Sequence, residues 1–370
     1  MVSPFNACNN GGPGNGSHAP LTVTMSKRKL TRQQAWRIEK IQKERLDRAA
    51  RHKETVETLL DAGRLGNVQS GRIVARFGKQ VEVVPVDALG QPQGDAVRCH
   101  LRANLTNLVT GDHVVFQVAD DAGIVTAQET RHNVLERPDS RGVTKAMAAN
   151  IDQLVIVTAL EPAPQPELLD RYLVATEVAG IPPLIVINKV DLMRDSDVNQ
   201  NFLAAIKNLY QLIGYPVVET STKESGGLDA LIAHLKDKSS VFIGQSGVGK
   251  SSLVQALLPE EDIRVGHLHK QTRLGRHTTS TARLYRYAGG GSIIDSPGIR
   301  DFGLDQISRT DVEFGFIDIR EHAGNCRFRD CRHRQEPGCA VLDAVQKGLV
   351  SKRRLESFQR ILETLSGGNA

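Results

Sequence analysis

The residues whose chemistry is clearest lie in a glycine-rich loop between Gly244 and Ser251. The loop fits the pattern G-x-x-x-x-G-K-[S/T] at every fixed position. Glycines let a backbone wrap closely around phosphate oxygens, and N–H groups at the start of a helix bind the anion. Lys250 supplies a cation to the β- and γ-phosphates, and the Ser251 hydroxyl is a ligand for Mg²⁺. The predicted phosphate contacts are Gly244, Gln245, Ser246, Gly247, Val248, Gly249, Lys250, Ser251 and Ser252.

A second group of residues is suited to selecting the base. Asn188, Lys189 and Asp191 form the pattern N-K-x-D directly after an apolar run. Guanine presents two adjacent donors that the Asp191 carboxylate can accept, and adenine lacks that pair. We expect Asn188 to brace the phosphate loop and Lys189 to lie over the base. Ser221 and Thr222 are candidates for a backbone contact to guanine O6, although an ordinary loop explains their segment nearly as well.

Two further segments predict a magnesium site that responds to the γ-phosphate. Asp295 and Gly298 form the pattern D-x-x-G, in which the carboxylate reaches Mg²⁺ through a water and the glycine N–H contacts the γ-phosphate. A plain Ser-Pro-Gly turn is the alternative. Thr279, with Thr278 as its rival, completes a predicted Mg²⁺ set of Ser251, Thr279 and Asp295.

The residues leave two interpretations open for the group that would activate water. Ile299 follows the D-x-x-G pattern, at the position where Ras-like enzymes place a water-orienting glutamine. Isoleucine cannot orient water, so unaided hydrolysis should be slow. His277 is the nearest candidate because imidazole can hold or deprotonate water near neutral pH, and an exposed loop histidine is an equal alternative. The predicted catalytic residues are therefore His277, Lys250 and Thr279.

A cluster of three cysteines and a histidine near the C-terminus predicts a metal site. Cys326, Cys331, His333 and Cys339 offer three thiolates and one imidazole, which suits a closed, structural, tetrahedral Zn²⁺ site. Reduced cysteines without metal are the alternative, and His322 is a spare ligand. The arginines around the cluster make a knuckle suited to RNA phosphates: Arg320, Arg327, Arg329, Arg332 and Arg334.

The elements that must position the nucleotide residues alternate between strands and helices from about residue 150 to 303. Apolar runs predict buried strands at 154–157, 184–187, 217–218 and 241–243. Helices are predicted near 167–179, 198–213, 227–236 and 251–258. This alternation predicts an α/β fold with a parallel, doubly wound sheet.

The regions on either side of that sheet differ from it in pattern. Short strand-like runs between 66 and 130 predict a small β-barrel, for which an OB-fold and an SH3-like barrel are both open, followed by a linker around Arg137. Beyond about 305 the sequence is helical around the cysteines. Residues 1–24, rich in Gly, Asn, Pro and Ser, predict disorder, and Met25 is an alternative start. Residues 26–53 hold eleven Lys and Arg and predict a basic, helix-capable arm.

Composition and charge exclude some classes of protein. The 370 residues are 40% hydrophobic and 24% charged, which is typical of a globular chain of two or three domains. The net charge of +5 is mildly basic. No apolar run approaches the ~20 residues of a membrane span, and the N-terminus lacks the pattern of a secretory signal. We therefore expect a cytoplasmic protein.

The order of the motifs is permuted. Conventional GTPases place the phosphate loop first and N-K-x-D fourth, but here Asn188 precedes Gly244. The same sheet forms if the old ends are joined and the chain is cut between D-x-x-G and N-K-x-D. With this order and the Cys326 cluster, residues 25–365 resemble the RsgA (YjeQ) family of circularly permuted GTPases, which act in biogenesis of the small ribosomal subunit.

The resemblance implies a domain order and an activity. It implies an N-terminal OB-fold, a central GTPase domain and a C-terminal zinc domain. Together with the composition of the N-terminus, this predicts a disordered leader at 1–24, a basic arm at 25–64, an OB-fold-like barrel at 65–135, a circularly permuted GTPase domain at 136–304 and a helical zinc-binding domain at 305–370. It also implies hydrolysis of GTP to GDP and phosphate during late 30S maturation, stimulated by the subunit. The partners it implies are the 30S subunit and 16S rRNA. From the residues themselves we expect GTP and GDP as ligands, one Zn²⁺ per chain, Mg²⁺ with GTP and no membrane, and we expect a monomer.

Three other classes of function remain open at this point. One is a zinc-finger regulator of DNA or RNA in which GTP is incidental. Another is an ATP-dependent enzyme, against which Asp191 argues. The third is a non-catalytic, GTP-sensing scaffold, which Ile299 makes conceivable.

Overall fold

The computed structural model describes residues 66–367 apart from 103, 106, 120–121, 139–142, 163–164, 194–196, 259–281 and 296–306. Several predictions from the sequence lie outside the described residues. These are the leader, the basic arm and the switch residues His277, Thr278, Thr279, Gly298 and Ile299.

Five strands near the start of the described chain form a closed barrel. They are β1 (Gln69–Phe77), β2 (Gln80–Pro85), β3 (Val97–Leu101), β4 (His113–Ala119) and β5 (Ala122–Gln128). Their order is β1-β2-β3-β5-β4, and β4 pairs back onto β1. The β3–β5 pair is parallel and the other pairs within the barrel are antiparallel. This is the OB-fold arrangement, so the OB-fold prediction is confirmed.

The barrel closes tightly because one of its strands carries a glycine on the inner face. A Cβ atom on Gly71 would lie 2.4 Å from Val83 Cγ1 and 2.7 Å from the Phe116 ring. Glycine therefore lets β1 bend across the core formed by residues such as Ile73 and Val114, both fully buried.

A hairpin follows the barrel where the sequence predicted a linker. Its strands are β6 (Val134–Pro138) and β7 (Thr144–Ala149). The linker prediction at Arg137 was wrong, because Arg137 pairs with Lys145 inside this hairpin. The sequence of β7 is alanine-rich and has weak strand propensity, so its conformation depends on packing. Ala148 and Ala149 are fully buried, and a bridge joins Ala148 to Thr110 of the barrel.

The central sheet is parallel except at its last strand. Its strands are β8 (Gln153–Ala159), β9 (Pro183–Asn188), β10 (Val217–Thr220), β11 (Ser239–Ile243), β12 (Arg283–Arg286) and β13 (Ser292–Asp295). They lie in the order β10-β9-β8-β11-β13-β12, with β12 antiparallel to β13. The antiparallel strand β12 was not predicted. It also pairs with β1 at Ala75 and Arg283, so barrel and central sheet form one eleven-stranded sheet.

Four helices cover the central sheet and confirm the doubly wound prediction. They are α1 (Pro166–Ala179), α2 (Asp197–Ile213), α3 (Asp229–Leu235) and α4 (Lys250–Leu257). Separate apolar cores occupy the two faces of the sheet, one around Leu173 and Ile185 and the other around Leu231 and Leu253. A parallel sheet covered on both faces explains the continuous apolar runs in its strands.

The C-terminal region is helical. Its helices are α5 (Arg309–Gly315), α6 (Ile317–Ala323), α7 (Ala340–Gln346) and α8 (Lys352–Gly367). Their shared core includes Val174 from α1, against which Gly315 packs so closely that a Cβ atom would lie 2.6 Å from the Val174 Cα. Among the described helices, none has the length and apolar composition needed to cross a membrane.

A buried ion cluster fixes this helical region to the central sheet. Arg354 on α8 is fully buried and donates to Asp170 on α1 at 2.5 Å and to Asp318 on α6 at 2.8 Å. The Tyr210 hydroxyl also donates to Asp170, at 2.7 Å, and the guanidinium lies 4.1 Å from the centre of the Phe316 ring. Burial alone would lower the pKa of Arg354, but the two carboxylates raise it, so the residue stays charged.

Replacing Arg354 with alanine should strongly destabilise the fold. Asp170 and Asp318 would become buried carboxylates without a cation, at a cost of about 3–5 kcal/mol in the free energy of unfolding. Chemical denaturation measures that change. Arg360→Ala is the matched control, because the Arg360–Glu167 pair also joins α8 to α1 but is exposed, so water screens it and its loss should change stability little. Equal losses in the two variants would contradict this account.

Candidate functional site

The phosphate loop, residues 244–251, lies between the end of β11 and the first turn of α4. Gly244 has φ +137°, and a Cβ atom there would lie 2.2 Å from the Val157 carbonyl oxygen. Gly249 has φ +95°, and its Cβ atom would lie 2.3 Å from Asn188 Nδ2. Both positions therefore need glycine for conformation and for space.

Lys250 and the serines of the loop occupy different parts of it. Lys250 Nζ donates to the carbonyl oxygens of Gly244 at 2.5 Å and Gln245 at 2.6 Å, so the ammonium lies against the loop backbone. Ser251 is half-buried and Ser252 exposed in the first turn of α4. Ser246 and Gly247 are exposed at the tip of the loop, whereas Val248 is buried in the core.

The base loop, residues 188–191, is bonded directly to the phosphate loop. Asn188, almost fully buried at the end of β9, donates from Nδ2 to the Val248 carbonyl oxygen at 2.9 Å. Its own Oδ1 accepts from the Thr220 hydroxyl at 3.0 Å. Lys189 Nζ donates to Gly247 O at 2.8 Å, so its side chain spans the gap between the loops. The structure thus brings Asn188 and Lys189 onto the phosphate loop.

The carboxylate expected to select guanine is held by its neighbours. Ser221 Oγ donates to Asp191 Oδ1 at 2.7 Å, and Lys223 Nζ lies 3.4 Å from Asp191 Oδ2. The hydrogen bond from Ser221 is the main cause that lowers the pKa of Asp191 below its usual 3.8, so the acceptor is ionised at neutral pH. Within the described residues the Thr222 amide has no hydrogen-bond partner, which leaves it available to a base.

The structure describes two of the three predicted magnesium ligands, and both lie at one edge of the sheet. Asp295 ends β13, which runs parallel to β11, the strand that leads into the phosphate loop. The carboxyl ends of adjacent parallel strands form the usual ligand crevice of such sheets. Asp295 and Ser251 therefore approach that crevice from neighbouring elements. Thr279, the third predicted ligand, lies outside the described residues, as do Gly298 and His277.

Two contributing residues were missed from the sequence. Thr220 orients Asn188, and Lys223 pairs with Asp191. Both belong to the same short segment as Ser221, at the carboxyl end of β10. Strand β10 lies beside β9, so side chains at the carboxyl ends of the two strands meet. A prediction that these strands are neighbours could therefore have identified both residues.

The predicted metal ligands converge on one point. The donor atoms of Cys326, Cys331, His333 and Cys339 all lie within 4.8 Å of one another. Cys326 Sγ is 3.6 Å from His333 Nδ1 and 3.9 Å from Cys339 Sγ, and His333 Nδ1 is 3.4 Å from Cys339 Sγ. The ligand edges of a tetrahedral Zn²⁺ site are about 3.4–3.8 Å long, so these residues can hold such an ion. His322 does not belong to the group.

The surroundings of the cluster also suit a cation. Burial raises the pKa of Cys331 to about 12, so its thiol would be ionised at neutral pH only when a cation shares the site. The Leu342 amide lies 3.5 Å from Cys339 Sγ, and the Phe358 ring packs 6.0 Å from the ring centre of His333. Cys99, the other described cysteine, is buried far away in the barrel core.

Comparison with known proteins identifies the family. A family model described as RsgA GTPase matches residues 128–305. A protein of Chromohalobacter salexigens named small ribosomal subunit biogenesis GTPase RsgA is 54% identical, with 92% of this chain and 99% of the relative covered. A relative of the same name from Azotobacter vinelandii is 52% identical, with 92% and 98% covered. This chain belongs to the RsgA GTPase family.

Solved structures agree with membership of the RsgA family. YjeQ from Thermotoga maritima superposes with a TM-score of 0.67 at 28% identity, covering 81% of this chain and 99% of that one. YloQ, described as a circularly permuted GTPase, superposes with a TM-score of 0.65 at 29% identity, covering 82% and 97%. The RsgA-family chain is therefore a GTPase, and the permuted order of its motifs is a family property. A multidomain α/β architecture with barrel, GTPase domain and C-terminal cysteine cluster is confirmed.

Replacing Asp191 with asparagine should change base selection in this RsgA-family chain. The amide offers an N–H where guanine also presents a donor, so affinity for GDP should fall by about 100-fold or more. Xanthosine diphosphate carries a carbonyl at that position of the base and should bind the variant better than the parent. Competition against a fluorescent guanine nucleotide measures both constants.

Asp343→Asn is the matched control for this substitution. Asp343 is an exposed carboxylate on α7, paired with Lys347, and its loss should leave both affinities unchanged. If Asp191→Asn kept the parental preference for GDP over xanthosine diphosphate, Asp191 would not be the residue that selects the base.

Proposed function

We propose that this chain hydrolyses GTP to GDP and phosphate while bound to the small (30S) ribosomal subunit, late in its maturation, and that the subunit stimulates hydrolysis. The observation that carries the proposal is the Asn188 bond to Val248, which joins the base loop to the phosphate loop in one pocket. The names of the relatives, at 50–54% identity over 92% of this chain, support the ribosomal partner.

The residues have distinct roles in the proposed reaction. Asp191 accepts the guanine donors, with Ser221 holding the carboxylate and the Thr222 amide meeting O6. Lys250 and the phosphate-loop amides bind the β- and γ-phosphates. Ser251, Thr279 and Asp295 would hold Mg²⁺, which would supply positive charge to offset that of the phosphates. His277 stays the candidate for holding the attacking water, and Gly298 the candidate for contacting the γ-phosphate.

Zinc is the ion we propose for the cysteine cluster, one per chain and structural in role. Three thiolates and one imidazole fill a tetrahedral Zn²⁺ site and leave no position for a substrate. The loop between α6 and α7 contains little regular secondary structure, so its folding would then depend on the ion.

The RNA-binding parts of the chain are proposed to act together. The basic arm, the barrel and the arginines near the zinc cluster would hold 16S rRNA in the GTP state, and hydrolysis would weaken that hold. Arg354 ties the C-terminal helices to α1, and Gln165 before α1 shares a crevice with Gln245 of the phosphate loop. Helix α1 is therefore a route by which the nucleotide site can bias the C-terminal helices. We propose a cytoplasmic, monomeric protein.

Purified 30S subunits should stimulate GTP hydrolysis. We expect slow turnover alone and at least about tenfold faster turnover with saturating subunits, because the subunit would order the catalytic groups. Phosphate release with and without 30S subunits measures the effect, with 50S subunits as the partner control. Lys250→Ala should lose turnover in both conditions. Absence of turnover with saturating 30S subunits would instead favour a non-catalytic, GTP-sensing role.

Metal analysis tests the zinc site. Protein never exposed to chelator should carry about one zinc per chain, and Cys339→Ser should lose it and unfold at a temperature lower by roughly 10 °C or more. Cys99→Ala is the control, since Cys99 lies in the barrel core and should keep the zinc content unchanged. Parental protein without zinc would refute the site.

A further inference from the structure

A cavity of about 430 Å³ opens beside the metal cluster. Its wall includes Phe328 and the side chains of Arg329 and Arg332. Phe328 is 42% exposed, which is unusual for a phenylalanine. Its segment lies between two candidate metal ligands, Cys326 and Cys331. The cavity volume lies within the ~300–1,000 Å³ of small-molecule sites, so it is large enough for a single planar group.

The arginines around Phe328 are not held in ion pairs with neighbouring acids. Arg327, Arg329 and Arg332 are exposed and form no ion pair with any residue between Gly66 and Gly367 that the structure describes. Glu336 is the nearby acid most suited to pair with them, but both of its oxygens accept backbone N–H groups. Two other carboxylates, Asp330 and Glu313, line the cavity, and Glu313 is paired with Arg309.

The backbone that carries Phe328 is held in place before any ligand binds. The Cys331 amide donates to the Phe328 carbonyl oxygen at 3.3 Å, and the Arg327 amide donates to Gly338 O at 3.0 Å. The Arg327 guanidinium lies 5.6 Å from the centre of the Phe328 ring. A pre-ordered aromatic platform loses little conformational entropy when a flat group stacks on it.

An exposed ring flanked by guanidinium groups without ion pairs suits a ligand in which flat aromatic groups alternate with anionic groups along a chain. Single-stranded RNA has this chemistry, whereas a duplex hides its base faces by stacking. We propose that Phe328 stacks on an unpaired RNA base while Arg329 and Arg332 bind the phosphates on either side of it. This inference rests on the proposed function, which supplies RNA as the partner, and it adds that the recognised segment is unpaired.

The same domain offers a matched control for Phe328. Phe314 on α5 is similarly exposed, at 47%, and carries the Arg320 guanidinium 4.6 Å from its ring centre. It does not line the cavity, and Arg320 already donates to the Phe314 carbonyl oxygen. A general effect of losing an exposed ring would appear on substitution at either position. A loss of base stacking would appear only on substitution of Phe328.

Binding of labelled RNA to the full chain tests the proposal. Phe328→Leu should weaken binding of a single-stranded oligonucleotide by about 5- to 150-fold, the range of one base–aromatic stack, and Phe314→Leu should leave it unchanged. On an oligonucleotide with abasic residues, Phe328→Leu should bind like the parent. Equal weakening by the two substitutions, or an equal loss on duplex and abasic RNA, would overturn the proposal.

The salt dependence separates stacking from phosphate contact. Phe328→Leu should leave the slope of log K against log salt unchanged, because stacking releases no counterions. Arg329→Gln and Arg332→Gln should each reduce that slope by about 0.7. An altered slope in Phe328→Leu, or unaltered slopes in both arginine variants, would contradict the assigned roles.

A fluorescent reporter detects the contact directly, even if Phe328→Leu folds poorly. Phe328→Trp in a Trp36→Phe background leaves one tryptophan, since the sequence contains a single one. Single-stranded RNA should quench its fluorescence and abasic RNA should not. Absence of quenching at saturating RNA would overturn the proposal and point to a protein on this surface. Stimulation of hydrolysis by 30S subunits, measured separately on the parent chain, shows whether the proposed function itself fails.

Discussion

The buried amide of Asn188 joins the two halves of the nucleotide pocket. Its nitrogen is bonded to the phosphate loop through Val248 O, and its oxygen is bonded to Thr220 at the end of the neighbouring strand. A buried amide left without partners would cost about 1–3 kcal/mol, so these bonds hold the loops in one relative position. Gly249 fits against the same amide, and a larger residue there would displace it. The spacing between base and phosphate contacts follows from this one arrangement.

The helical region depends on a different kind of interaction. Part of its connection to α1 is a buried ion cluster, in which Arg354 is shared between Asp170 and Asp318. Such a cluster adds little net stability relative to an apolar contact, but it permits only one arrangement of charges. The close packing of Gly315 on Val174 enforces the same orientation. The metal cluster and the Phe328 surface are therefore presented at a defined position relative to the GTPase sheet.

The barrel is joined to that sheet through hydrogen bonds as well as packing. Strand β12 pairs with β13 on one side and with β1 on the other. The Thr110 hydroxyl, at the end of the barrel, donates to the Ala282 carbonyl oxygen just before β12. Residues 259–281, which contain the predicted switch threonine, precede this junction directly.

The sequence by itself determined the features that are local in the chain. The phosphate loop, the N-K-x-D pattern and the cysteine spacing each place their ligands within a few residues, so chemistry and position could be inferred together. The apolar runs of β8, β9 and β11 also predicted the parallel sheet, because strands buried on both faces need continuous apolar residues. Helices α1 to α4 begin and end within two residues of the predicted ranges.

Only the tertiary structure decided the features that depend on distant residues. The alanines of β7 adopt a strand because the barrel end packs on them, and β12 exists because β13 and β1 lie on either side of it. Arg354 meets Asp170 across 184 positions, and no local pattern distinguishes it from the half-buried Arg353 beside it. Burial and pairing at such distances arise from the packing of whole elements, which is why the ion cluster and the Phe328 cavity were visible only in three dimensions.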